Sequence, residues 1–217
     1  MKKLKRAVAT LLMGSMLILS GCSAFQKFDA AGYTKACLDA SYKGEFDEYI
    51  KLTKSTKEEA EKEYNKNLEL AMNQLTSVGV SDELTEKYKD LYVEIFKKLK
   101  YDVKEAKETE DKNFTVQVEV QPAKIFDGVM EAAQTEIEGF VTSKIESGEM
   151  PSEEEIMEQT FVILHDKMAE NLENITYGEK QTIEISVTKD SNNVYSISDE
   201  DLLKIDEAMY DKSGLTF

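Results

Sequence analysis

The sequence predicts an α+β domain, with long amphipathic helices packed on one face of antiparallel β-hairpins. Three observations predict it. Apolar residues recur every three or four positions over several long stretches. Phe114-Thr115-Val116-Gln117-Val118-Glu119-Val120 and Thr182 to Lys189 alternate strictly in polarity. Polar turn stretches follow or precede these strands, which suits hairpins rather than a parallel sheet. Alternation also implies a sheet covered on one face only.

The elements follow in order. Asp29 is placed to cap a helix running to about Lys43, with Gly44 as its stop. A short helix covers roughly Phe46 to Leu52. Ser55-Thr56-Lys57-Glu58 reads as a capping box, and Ala60, Tyr64, Leu68, Ala71, Leu75 and Val78 then mark a long helix ending at Gly79. Ser81 caps the next, whose stripe is Leu84, Tyr88, Leu91, Ile95 and Leu99. Tyr101 to Lys107 is a weak strand and Asn113 to Val120 a clear one, stopped by Pro122.

A second round starts at Ile125. A helix to Ser147 turns Phe126, Val129, Ala133, Ile137, Phe140 and Val141 inward and stops at Gly148. Ser152-Glu153-Glu154-Glu155 is another capping box. The helix behind it carries Met157, Phe161, Leu164, Met168, Leu172 and Ile175. The strand Thr182 to Lys189, the turn Asp190-Ser191-Asn192-Asn193 and the return Val194 to Ile197 follow. Ser198 with Asp201 caps a last helix holding Leu202, Ile205 and Met209. Residues 56–121 and 125–197 thus share a plan of two helices and a hairpin. An internal duplication and ordinary α+β alternation both account for it.

The N-terminus carries an address. Met1 to Arg6 hold four positive charges, and Ala7 to Ser20 form an apolar run that would span about 21 Å as a helix, short of the ~30 Å hydrocarbon core. The run ends in Leu19-Ser20-Gly21-Cys22, which resembles the bacterial lipobox. That resemblance implies a signal peptide over residues 1–21, cut before Cys22, with a diacylglycerol (and so palmitate-type) anchor on the Cys22 sulfur. An ordinary cleaved signal with an incidental cysteine is the simpler alternative. Residues 22–28 would be a short lipid tether, reaching about 20 Å, ahead of one domain over 29–212 and a tail at 213–217. The address is then the cell membrane, on its extracytoplasmic side, and the cytoplasmic membrane is the first partner.

Composition narrows the activity. The chain has 27 basic and 43 acidic residues. Residues 22–217 carry 23 lysines against all 43 acids, a net charge of −20 with no arginine. Bidentate guanidinium contacts to phosphate or guanine are impossible, so nucleic acid is a poor partner. The acidity suits solvated helix faces. On a usually anionic membrane, the face nearest Cys22 should be the least acidic.

No catalytic constellation stands out. Cys37 lies on a helix and reads as a half-buried small apolar residue. His165, the only histidine, sits at the edge of a core stripe beside Asp166, and a single histidine cannot build a zinc-protease motif. The 190–194 turn is calcium-like only in part, and turn chemistry explains it. No metal, cofactor or catalytic residue is expected. Ten tyrosines are expected mainly in the core.

Phe28-Asp29-Ala30-Ala31-Gly32-Tyr33, Leu38-Asp39, Tyr42-Lys43-Gly44-Glu45-Phe46 and Phe114 to Pro122, together with the lipobox, resemble an uncharacterised Gram-positive (Firmicute-type) lipoprotein family built on a domain of unknown function. The resemblance implies an envelope location and a non-enzymatic default. The expectation is a non-catalytic binding or interaction module meeting an envelope protein or ligand. A carboxylate-based envelope hydrolase and a small-ligand-binding protein are the alternatives.

Overall fold

The computed structural model describes residues 28–191 and 194–215. Leu19 to Cys22, the lipobox, lies outside them. The predicted α+β class is the observed one. The element order is α1 (Ala30–Leu38, continued by a π-helical turn Asp39–Lys43), α2 (Asp47–Thr53), α3 (Lys57–Ser77), α4 (Asp82–Lys98), β1 (Lys100–Glu108), β2 (Phe114–Gln121), α5 (Val129–Glu146), α6 (Glu153–Glu173), β3 (Gln181–Lys189), β4 (Tyr195–Ile197), α7 (Asp199–Ala208) and a 3-10 turn at Ser213–Leu215.

The four strands form one antiparallel sheet in the order β1-β2-β3-β4. Phe114 pairs with Val187 at one end, and Val120 with Gln181 and Tyr101 at the other. Val116, Val118, Val120, Ile185 and Val187 point inward and are buried, under α1 and α7. The outer face carries Gln117, Glu119, Thr182 and Glu184 and has no covering layer among the described residues. β4 pairs with β3 only from Val187 onward. The Asp201 carboxylate of α7 accepts the backbone N–H of Ser186 just before it (2.9 Å), closing that stretch of open edge.

The polar caps fall where side-chain chemistry puts them. Ser81, Ser152 and Ser198 each accept an N–H two or three residues into their helices. The box before α3 is shifted by one residue from Ser55/Glu58. Thr56 accepts the Glu59 N–H and Glu59 accepts the Thr56 N–H, while Ser55 shares a hydrogen bond with Thr53 instead. α5 starts four residues later than the apolar pattern predicts. Gly128 takes a left-handed φ of 68° there, and Asn171 of α6 holds the carbonyls of Ile125 and Asp127 (both 2.9 Å) in the preceding turn. Such a φ suits glycine and breaks the helical path.

α4 and α6 run side by side in the same direction. Glu158 accepts the Ser81 N–H (2.9 Å) at their starts. The Tyr88 hydroxyl donates to the Phe161 carbonyl (2.7 Å) midway. The Tyr177 hydroxyl donates to the Lys98 carbonyl (2.7 Å) at their ends. The expected inward stripe on α5 is buried only at its beginning: Val129 and Ala133 are in the core, whereas Ile137, Phe140 and Val141 are half-exposed. The helix period reports which side is apolar, not whether anything lies opposite it.

Candidate functional site

Phe28 is the first described residue, six positions after Cys22. Its ring stacks on Tyr195 (centroids 3.8 Å apart, planes 8° from parallel) and leans on Phe114 (5.5 Å) and Tyr33 (5.4 Å). The Tyr33 hydroxyl donates to the Tyr195 carbonyl (3.1 Å). Asp29 then caps α1 by accepting the Gly32 N–H (2.9 Å), and a side chain on Gly32 would strike that carboxylate. Phe28 was expected in the tether; it belongs to the folded body. Five residues, Ser23 to Lys27, separate it from Cys22.

The clamp sits where β2 begins, beside the two hairpin turns. The charged side chains there are Lys107, Lys112 and Lys189 against Asp29, Glu108, Glu110, Asp111 and Asp190. The 190–194 turn is closed by its own groups: the Asp190 carboxylate accepts the Val194 N–H (2.8 Å), and backbone atoms of the same pair bond at 2.9 Å. No group of three His, Cys, Asp or Glu side chains suited to a metal exists among the described residues.

At the opposite end of α1 the backbone widens into its π turn, a geometry often found at functional positions. Gly44 ends it at φ 65°. Asp39 is the hub of this turn. Its carboxylate accepts hydrogen bonds from Lys35, from Lys43 (2.9 Å) and from the Tyr101 hydroxyl (2.6 Å). Burial pushes the Asp39 pKa up, but the bonds from Lys35, Tyr101 and Lys43 outweigh it and leave it below the ordinary value. Asp39 is thus ionised at neutral pH with both oxygens engaged.

Behind it the Tyr42 hydroxyl donates to the buried Asp206 carboxylate (2.9 Å). Tyr92 and Tyr210 are packed nearby, and burial together with the Asp206 charge raises the pKa of each of these tyrosines. Tyr49, packed elsewhere in the core, is pushed up to about 12, chiefly by burial. A groove of about 310 Å³ borders the hub, lined by Ala36, Asp39, Glu45, Phe46, Asp47, Glu48 and Lys57 among others. Its walls are acidic, and its one buried carboxylate already has three donors. The arrangement ties α1 to β1 and α7, and the exposed carboxylates of Glu45 and Asp47 on the groove wall lie outside this network.

Cys37 is fully buried, at 5% exposure, deeper than its sequence position suggested. His165 lies at the core edge, with Nδ1 2.9 Å from Asp166 and its ring edge-on to Tyr88 (5.2 Å). Tyr33, Tyr42, Tyr49, Tyr88, Tyr92 and Tyr210 are core residues, as expected. The residues that carry the lipoprotein-family resemblance converge: Phe28, Tyr33 and Phe114 build the clamp, and Asp39, Tyr42 and Gly44 build the hub. Their spacing therefore has an architectural reason.

No protein-family model matches the chain, and no curated protein does either. Among solved structures it is similar to the crystal structure of a "putative lipoprotein (ycdA)" from Bacillus subtilis, with a TM-score of 0.57 and 16% identity. The match covers 95% of this chain and 59% of that one, so this chain spans well under two thirds of its neighbour's length. The likeness is one of fold. No described helix is long and apolar enough to cross a membrane.

Proposed function

We propose that this protein is a membrane-tethered, non-catalytic interaction module of a Firmicute-type lipoprotein family, held by lipid on Cys22 at the outer face of the cytoplasmic membrane. The observation that carries this reading is the Phe28 clamp. A folded body grips its own chain six residues past the lipobox cysteine. Two acyl chains supply the double signal that stable anchoring requires. The short span of Ser23 to Lys27 keeps the domain within about 17 Å of the surface. The likeness to a Bacillus subtilis chain described as a "putative lipoprotein" supports a lipid anchor.

The test is made in cells expressing the full chain. Palmitate labelling should appear in the wild type and vanish in Cys22→Ser. Photo-crosslinking residues at surface positions, the exposed Met150 and the half-exposed Gln117 among them, should give discrete adducts with an envelope protein. Labelling that survives Cys22→Ser would remove the anchor. Absence of adducts from every exposed position would remove the interaction role.

A further inference from the structure

The end of the molecule farthest from the clamp is unlike the rest. α1 leads from the clamp to Gly44. α3 starts level with Ala36, where Lys57 shares a groove with it, and passes Gly44 and Phe46 at Tyr64. Thirteen further residues carry α3 to Ser77, about 20 Å beyond that level. α4 returns from there, and Glu158 at the start of α6 bonds the Ser81 N–H and hydroxyl. The turns at Gly79 and Gly148 thus form a tip pointing away from the clamp.

Apolar side chains are open at this tip. Met150 is 83% exposed and Ile145 53%. Phe140, Val141 and Ile156 are half-exposed and lie outside the main core and the residues packed on it. A Cβ on Gly79, Gly139 or Gly148 would meet no atom within 4 Å. A groove of about 450 Å³ runs between Gly79, Phe140, Lys144, Glu154 and Glu158, with the Lys144 ammonium 6.0 Å from the Phe140 ring and paired with Glu149 and Glu155. The helices that form it are strongly acidic: residues 129–159 hold nine glutamates and one lysine, Lys144. Exposed apolar groups rimmed by charge mark contact surfaces.

We propose that the α5–α6 tip docks a basic, amphipathic segment of a partner protein, with apolar anchors in the Phe140 groove and lysines or arginines facing the glutamate rim. This rests on the interaction-module reading above. Charge selects the occupant. A second copy would bring a like-charged tip, and an anionic membrane would repel this one. A partner with basic residues around apolar anchors gains on both counts.

The probe is a synthetic Leu/Lys amphipathic peptide of about 18 residues, long enough to form a helix. It is titrated onto the lipidated full-length protein in phosphatidylcholine vesicles, against empty vesicles. Saturable binding is expected, weakened at least about tenfold by the pair I145D and M150D. The triple E146K, E149K and E154K should weaken it similarly, as should raising salt from about 0.05 to 0.3 M. Q117D on the outer sheet face should change nothing. The tip positions are exposed, Gln117 is half-exposed on the uncovered sheet face, and circular dichroism checks that the variants fold. No binding to the wild type, binding indifferent to the tip variants, equal binding of a scrambled peptide, or tip-dependent dimerisation would overturn the proposal. Cellular adducts from Gln117 but none from Met150 would remove the tip and leave the interaction module standing.

Discussion

The two ends of this molecule are built to different rules. At the clamp end Phe28, Tyr33, Phe114 and Tyr195 interlock over a sheet whose inner valines are fully buried. Beyond the sheet, α3 and α4 still pack through Leu75, Val80 and Leu84, but the α5–α6 side leaves Ile145 and Met150 open. The same residue type therefore has different consequences at the two ends. One end spends apolar surface on cohesion, and the other leaves it in water.

Isoleucine gives the cleanest way to break that comparison. Ile185→Ala in the sheet (1% exposed) should cost about 2–5 kcal/mol in denaturant unfolding. Ile145→Ala at the tip (53% exposed) should stay within about 0.5 kcal/mol of wild type. Equal losses would erase the distinction. Phe28→Ala should cost about 2 kcal/mol through lost stacking and burial, and should speed amide exchange in the first turn of α1. A silent Phe28→Ala would show that the clamp does not hold.

Asp39 sharpens the same contrast at the centre of the fold. Asp39→Ala strands the Tyr101 hydroxyl and two lysines, at a cost of about 1–3 kcal/mol. The folded pKa of Asp39 is depressed. The stabilisation from its charge is therefore complete above the unfolded value, about pH 4, and is lost as pH falls through the folded value. The stability gap between wild type and Asp39→Asn should close as pH drops below about 4. A gap that widens there would contradict the hub. The one gain is at the tip: Gly139→Ala should raise stability by about 0.5–1 kcal/mol, since the site is helical and open. A loss would mean that something packs on Gly139.

Much of the frame was legible in the sequence because local chemistry decides it. The alternation of Phe114 to Val120, and the Ser81, Ser152 and Ser198 caps, need no distant partner to be read. The delayed start of α5 was not legible, because Ile125 and Phe126 are buried as a helical stripe would be, but in a turn ending at Gly128. The hub was hidden for another reason. Tyr101 lies 62 residues from Asp39, and Asp206 lies 164 from Tyr42. Only the folded chain brings them together. The exposure of the tip is not legible either, because periodicity assigns Phe140 and Val141 a face without saying what lies opposite. Phe28 is not legible as part of the fold, because one aromatic residue before a cap carries no periodic signal.

The central claim is that the lipid anchor and the clamp hold one end at the membrane and present the other. Lipidated protein on vesicles with a quencher on the lipid headgroups tests it directly. A fluorophore on Glu110→Cys, in the β1–β2 turn beside the clamp, should be strongly quenched. One on Met150→Cys, about 40 Å farther along the strands and helices, should be untouched. Equal quenching at both positions, or stronger quenching at Met150, would contradict the account.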